Sequence, residues 1–317
     1  MRASKFIRAL SLPSILLVAG VVVAAAPAAH ATYAGLNGRI AFEAGLKGGL
    51  QIWSMRSDGT GRMQLTHFPS GAADFPDTSP DGSRIAFDAD ASGEPELYTM
   101  NADGSDLTQI TDDPNAADLA PRYSPDGSKI LFDRCKANCN LWVLNADGTG
   151  SMTRITTGRT EEFAGSYSPD GSKIVFDSNR KGLESAIWVM DANGANLHRL
   201  TPPSLEAFWP DWSSDGTQIV FSDNCCQPHS SIWVMNADGT GLTQVTSPPY
   251  PHDDAFPSFS PKGNKIVFTG NRNYIDLSGV DVFTVNVDGS GLTRISTNLI
   301  PDGCEDCIPT ADWGAKT

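Results

Sequence analysis

The chain repeats itself every 45 residues. Strand-like segments close on Leu65-Thr66, Ile110-Thr111, Ile155-Thr156, Leu200-Thr201 and Val245-Thr246, and a sixth copy ends at Ile295-Ser296, 50 residues further on. A period of this length restricts the fold to an array of one small supersecondary unit. Each unit has one grammar. Arg122-Tyr123-Ser124 runs into Pro125-Asp126-Gly127; Lys129-Ile130-Leu131-Phe132, a variable stretch and Leu141-Trp142-Val143-Leu144 follow; then come Asn145-Ala146-Asp147-Gly148 and Met152-Thr153-Arg154-Ile155-Thr156. The β-branched and aromatic runs read as four short strands. Pro-Asp-Gly and Asn-x-Asp-Gly read as tight turns, in which Pro presets φ, Asp bonds nearby backbone and Gly takes positive φ. No helical period competes. A four-stranded unit cannot bury both faces alone, so the copies pack radially. The predicted fold is all-β: one six-bladed β-propeller domain over residues 32–317. Blade one lacks its inner strand, and Ala311-Asp312-Trp313-Gly314 matches Pro210-Asp211-Trp212-Ser213 and Pro257-Ser258-Phe259-Ser260. The C-terminal strand is therefore expected to close the ring.

The first residues follow another logic. Arg2, Lys5 and Arg8 precede an apolar run, Ile15 to Ala26, and then Ala29-His30-Ala31. This layout predicts an export signal over residues 1–31, cleaved near Ala31, and an extracytoplasmic mature chain. Removing the signal takes away three of the 23 bases and none of the 37 acids, which deepens the formal charge from −14 to −17. Such a surface repels phosphate backbones and anionic lipid, so nucleic acid is excluded as a main partner and a membrane is reached only through one.

The unit Ser-Pro-Asp-Gly-x-x-Ile-x-Phe, then Trp-Val-Met-Asn-Ala-Asp-Gly, then Leu-Thr-x-Ile-Thr resembles the WD-like repeat of TolB-type propellers. It is similar also to propeller domains of dipeptidyl peptidase and prolyl oligopeptidase relatives. The resemblance runs from Gly38 to Gly314 and implies the six-bladed fold, while a fold leaves function open. TolB has an α/β domain before its propeller and the peptidases an α/β-hydrolase domain after theirs. Neither is expected here, so serine peptidase activity is not.

In a propeller the first and third connections of each blade share one face, and the second and blade-joining connections share the other. The repeated turns make the first face uniform, and they are read as structural. The variable connections, Asp88 to Glu96, Asp133 to Asn140, Asp177 to Ala186, Ser222 to Ser230 and Thr269 to Val280, fall on the second, with the blade-joining loops Ser247 to Phe256 and Asn298 to Pro309. Binding usually resides in such loops. All six cysteines map there. Cys135–Cys139 and Cys304–Cys307 are expected as disulfides, and Cys225 and Cys226 form a vicinal disulfide or stay reduced. A zinc site would require the spaced pairs to converge. Asp88-Ala89-Asp90-Ala91-Ser92-Gly93 matches the front half of a calcium loop but has Thr99 where a twelfth-position Glu belongs, so a solvated hairpin is the favoured reading. Calcium is the one cofactor left open.

Catalytic constellations are scarce. His198 falls in an outer strand; His67, His229 and His252 fall on the variable face in different blades, without a short two-histidine spacing or a G-x-S-x-G motif. The recurring third-strand aromatics Trp53, Tyr98, Trp142, Trp188, Trp233 and Phe283 read as inter-blade packing. The expected function is a monomeric, non-catalytic protein- or peptide-binding module. Its candidate residues are the loop-face acids Asp74, Asp118, Glu162, Asp177 and Asp254, which favour a basic partner, together with Phe208, Trp209, Tyr250 and His252. The alternative is a metal-dependent carbohydrate-active enzyme, lyase-like, built on His67, His229 or His252.

Overall fold

The computed structural model describes residues 37–46, 49–180, 184–223, 230–272, 279–296 and 310–315. The export signal, Cys225, Cys226, His229, Cys304 and Cys307 lie outside them. Every regular element among the described residues is a strand, and the strands form six four-stranded antiparallel sheets. Blades two to six begin with the inner strands Ala73–Thr78, Ala117–Tyr123, Glu162–Tyr167, Ala207–Trp212 and Asp254–Phe259. Blade one takes its inner strand from the other end of the chain, where Ala311–Ala315 pairs with Asn37–Leu46. The ring closes as the repeat requires, and closure removes two open sheet edges.

The repeat-final threonine has a specific duty. The outermost strands are two residues long, as at Thr108–Gln109 and Thr153–Arg154. Beyond them the third strand still presents a buried amide, and the threonine hydroxyl accepts it. Ile52 N–H donates to Thr66 Oγ1 (2.9 Å), Leu97 to Thr111 (2.8 Å), Leu141 to Thr156 (3.0 Å), Ile187 to Thr201 (3.1 Å) and Ile232 to Thr246 (3.0 Å). Ser296 does the same for Val282 at 2.6 Å, which explains why the sixth copy keeps a hydroxyl. The turn aspartates behave as read. Asp126 accepts the hydroxyls of Ser124 (2.6 Å) and Ser128 (2.8 Å) and the Ser128 amide (3.0 Å). The Ser124 hydroxyl leads in holding its carboxyl below the usual range.

Burial is organised between blades. Phe87, Phe132, Phe176, Phe221 and Phe268, one per second strand, are fully buried. Phe87 stacks on its cross-strand partner Tyr98 and Phe268 on Phe283, with centroids 5.7 and 5.5 Å apart. The third-strand aromatics are thus packing residues. At the ring seam, Val267 and Val282 of blade six join one cluster with Ile40, Phe42 and Trp313 of blade one. Asp312 on the closing strand reaches both neighbours: it accepts the Thr78 amide of blade two (3.0 Å) and the Ser258 hydroxyl of blade six (3.4 Å).

Candidate binding site on the loop face

The site begins with a break in register. Each inner strand of blades two to six carries a bulge, at Asp74/Asp77, Leu119/Arg122, Phe163/Ser166, Phe208/Asp211 and Ala255/Ser258. Within it one non-glycine residue adopts left-handed backbone: Phe75 (φ 51°), Ala120 (49°), Ala164 (53°), Trp209 (54°) and Phe256 (54°). Such a conformation costs on the order of 1–2 kcal/mol and needs external support. Buried carboxylates of the preceding blade supply it. The amide of Phe75 donates to Glu43, that of Ala120 to Asp88 (2.8 Å), that of Ala164 to Asp133 (2.9 Å) and that of Trp209 to Asp177 (3.1 Å). Blades five and six carry Ser222 and Thr269 at this position, and their hydroxyls turn back to Phe208 and Ala255 of their own sheets.

The bulges aim side chains at the axis. Phe75 of blade two and Trp209 of blade five, on opposite sides of the ring, stack with centroids 5.1 Å apart and planes 11° from parallel, and Phe256 tilts onto Trp209 at 4.8 Å. Blades three and four place only Ala120 and Ala164 there. The resulting asymmetry leaves a cavity of about 400 Å³. Its walls are apolar, from Phe75, Leu119, Phe163, Phe208 and Trp209, and Asp133 and Asp177 also line it. One oxygen of Asp177 holds the Trp209 amide, the other accepts the Ser185 hydroxyl (3.2 Å), and burial raises its carboxyl to about 7 despite those bonds.

The rim is tied down by the one disulfide among the described residues. Cys135 and Cys139 are cross-strand partners joined as expected, with Cα atoms 4.0 Å apart. The loop they close binds Glu161, another cavity residue, through the Asn138 side chain (3.0 Å) and the Cys139 amide (2.9 Å).

Of the residues expected at the site, Phe208, Trp209 and Asp177 meet in this cavity, and Tyr250 and His252 do not line it. Four acids read as loop residues lie instead on inner strands. Asp118, Glu162 and Asp254 are wholly buried and paired with Arg134 (3.0 Å), Arg180 and Arg272, so they present no charge to a partner. Asp74 is half-buried, and burial followed by Asp90 raises its carboxyl to about 7. The calcium-like pair is committed to backbone, Asp88 to the Ala120 amide and Asp90 to the Ala72 amide (2.5 Å). Phe75, Ala120 and Phe163 line the cavity as well and lie outside the expected set, with Ala164 at the matching bulge of blade four. Aligned on the bulge, the copies show the signal for Phe75, Ala120 and Ala164, since aromatic residues at three copies face alanine at two.

The geometry defines a closed six-bladed propeller with an off-centre axial cavity. Residues 113–297, more than half of the chain, match the TolB beta propeller domain family, and the chain belongs to that family. No curated protein matches it. Among solved structures it is similar to TolB from Acinetobacter baumannii (TM-score 0.71, 20% identity, 88% of this chain and 67% of that one). It is similar also to a chain of a nidogen/laminin complex (0.64, 12%, 80% and 92%) and to an oligogalacturonate lyase in complex with manganese (0.54, 12%, 82% and 74%). At these identities the likeness is one of fold.

Proposed function

We propose that the chain is an extracytoplasmic, non-catalytic binding module of the cell envelope, whose axial cavity receives an apolar side chain of a protein or peptide partner. The observation that carries the reading is the pair of alanines at bulges where other blades place aromatics. They open an apolar recess between rigid sheets, the form a side-chain anchor site takes. The start of the sequence and the Cys135–Cys139 disulfide support an oxidising, extracytoplasmic setting. The nidogen/laminin complex supports the use of this scaffold for protein contacts.

The test is capture from an envelope extract, compared between wild type and Ala120→Phe. Phenylalanine already occupies the equivalent left-handed position at Phe75 and Phe256, so the variant should fold while its cavity is filled. A retained partner should lose about tenfold or more in affinity at unchanged Tm. Equal retention contradicts the reading, and turnover of an acidic oligosaccharide with added manganese would replace it by the lyase-like alternative.

A further inference from the structure

One side of the axial cavity's mouth is held by the hairpin tip of blade three. The tip is Lys136-Ala137-Asn138, without the Gly that sets the repeated turns. Its other closures are weak: the Lys136 amide and the Asn140 side chain reach the Asn138 carbonyl at 3.4 Å. The Cys135–Cys139 bond is what shuts it. Both carboxylate oxygens of Glu161 hang on this tip, Oε1 accepting the Asn138 side chain (3.0 Å) and Oε2 the Cys139 amide (2.9 Å). The Glu161 amide in turn donates to Asn179 (3.0 Å), and both residues line the cavity. On the other flank Lys136 pairs with Asp113 (3.0 Å), which Arg134 also holds. An exposed ion pair of this kind contributes little, so the grip on Glu161 is the tie that depends on the tip. Little else depends on the disulfide. A cross-link stabilises less the shorter the loop it closes, and this one has a sequence separation of four. Below it the ladder runs on to Lys129 with Phe132 fully buried, and Glu162 keeps its own pair with Arg180. The two cysteines are half-buried and Lys136 and Ala137 between them are exposed, within reach of a thiol in solution.

We propose that the Cys135–Cys139 disulfide is a redox latch on the axial cavity: a dithiol reductant opens it, the hairpin tip frays, Glu161 is released and the rim loosens, so that the oxidised chain holds its partner more tightly. In the step a thiolate of the reductant attacks one cysteine sulfur and forms a mixed disulfide, which its second thiolate then displaces. Two electrons and two protons pass to Cys135 and Cys139, which become thiols, and the reductant leaves as a disulfide. The regulatory role rests on the axial cavity being the binding site. The latch itself belongs to the free chain, so it is tested without a partner and the two readings fail separately.

The experiment is amide hydrogen exchange, read by NMR on the isotope-labelled mature chain, oxidised and after treatment with dithiothreitol. Exchange at Cys139 and Glu161 should speed up by about tenfold or more on reduction, while Phe132 and the strand Lys265–Gly270 keep their protection. The Cys135→Ser/Cys139→Ser double variant should show the same pattern without reductant, which assigns it to this disulfide. Glu161→Ala, with the disulfide closed, should speed exchange at Cys139 alone. Unchanged exchange at Glu161 in the reduced chain and the double variant would overturn the latch. So would loss of protection throughout blade three, a disulfide that dithiothreitol leaves intact in the folded chain, or a Cys139 amide indifferent to Glu161→Ala.

Discussion

Carboxylates carry two opposite duties in this chain, and burial separates them. Turn aspartates such as Asp126 and Asp170 are solvated, hydrogen-bonded by serine hydroxyls and held below the usual carboxyl range. The acids that grip the bulges are buried and pushed the other way. Burial raises Asp177 to about 7, whereas an unfolded aspartate ionises near ~3.9. Between those values the folded chain holds a proton that the unfolded chain has released. The contribution of Asp177 to stability is therefore fullest below about pH 4, falls as pH rises through this window and levels off above about 7. The slope from Asp177 is at most about 1.4 kcal/mol per pH unit. Asp177→Asn keeps an oxygen for the Trp209 amide and cannot ionise. Melting curves from pH 5 to 8 should be flatter for this variant, and identical profiles would show that Asp177 is ionised throughout.

The four-stranded blade is in energetic terms three strands, a two-residue edge and one hydroxyl. Thr111→Val keeps the shape and strands the buried Leu97 amide, at a cost of about 1–3 kcal/mol. Thr111→Ser should recover most of it, as Ser296 does in blade six. Denaturant unfolding separates the three proteins, and a harmless valine would mean the hydroxyl is incidental. This element was legible in sequence because its signals are local: threonine, turn glycine and alternating strand recur at fixed offsets. The bulge was not. A register shift inside a strand leaves no composition signal, and without it the side of the sheet that an acid faces is unknown. Asp118 thus looks like a loop charge until Arg134, 16 residues away, closes on it. Glu162 and Asp254 look like loop charges for the same reason, each with its arginine 18 residues downstream.

Around the whole ring the carboxylate grips are unevenly spread. Glu43, Asp88, Asp133 and Asp177 tie blades one to five in sequence. The Ser222 and Thr269 hydroxyls stay within their own sheets. The seam between blades six and one therefore leans on apolar packing and on Asp312. Asp312→Ala removes its bonds to Thr78 and Ser258 together and should cost about 2–4 kcal/mol, read as a lower midpoint in urea; a midpoint equal to wild type would place closure in the apolar contacts alone. The same unevenness shapes function. Ring closure and blade number followed from the repeat, but the off-centre cavity arises where copies differ, at Ala120 and Ala164 against Phe75, Trp209 and Phe256. Hydrogen–deuterium exchange of the chain with and without its captured partner tests that assignment directly. Protection should concentrate in the inner strands Ala117–Tyr123, Glu162–Tyr167 and Ala207–Trp212, and protection confined to the outer strands or the turn face would contradict binding at the axial cavity.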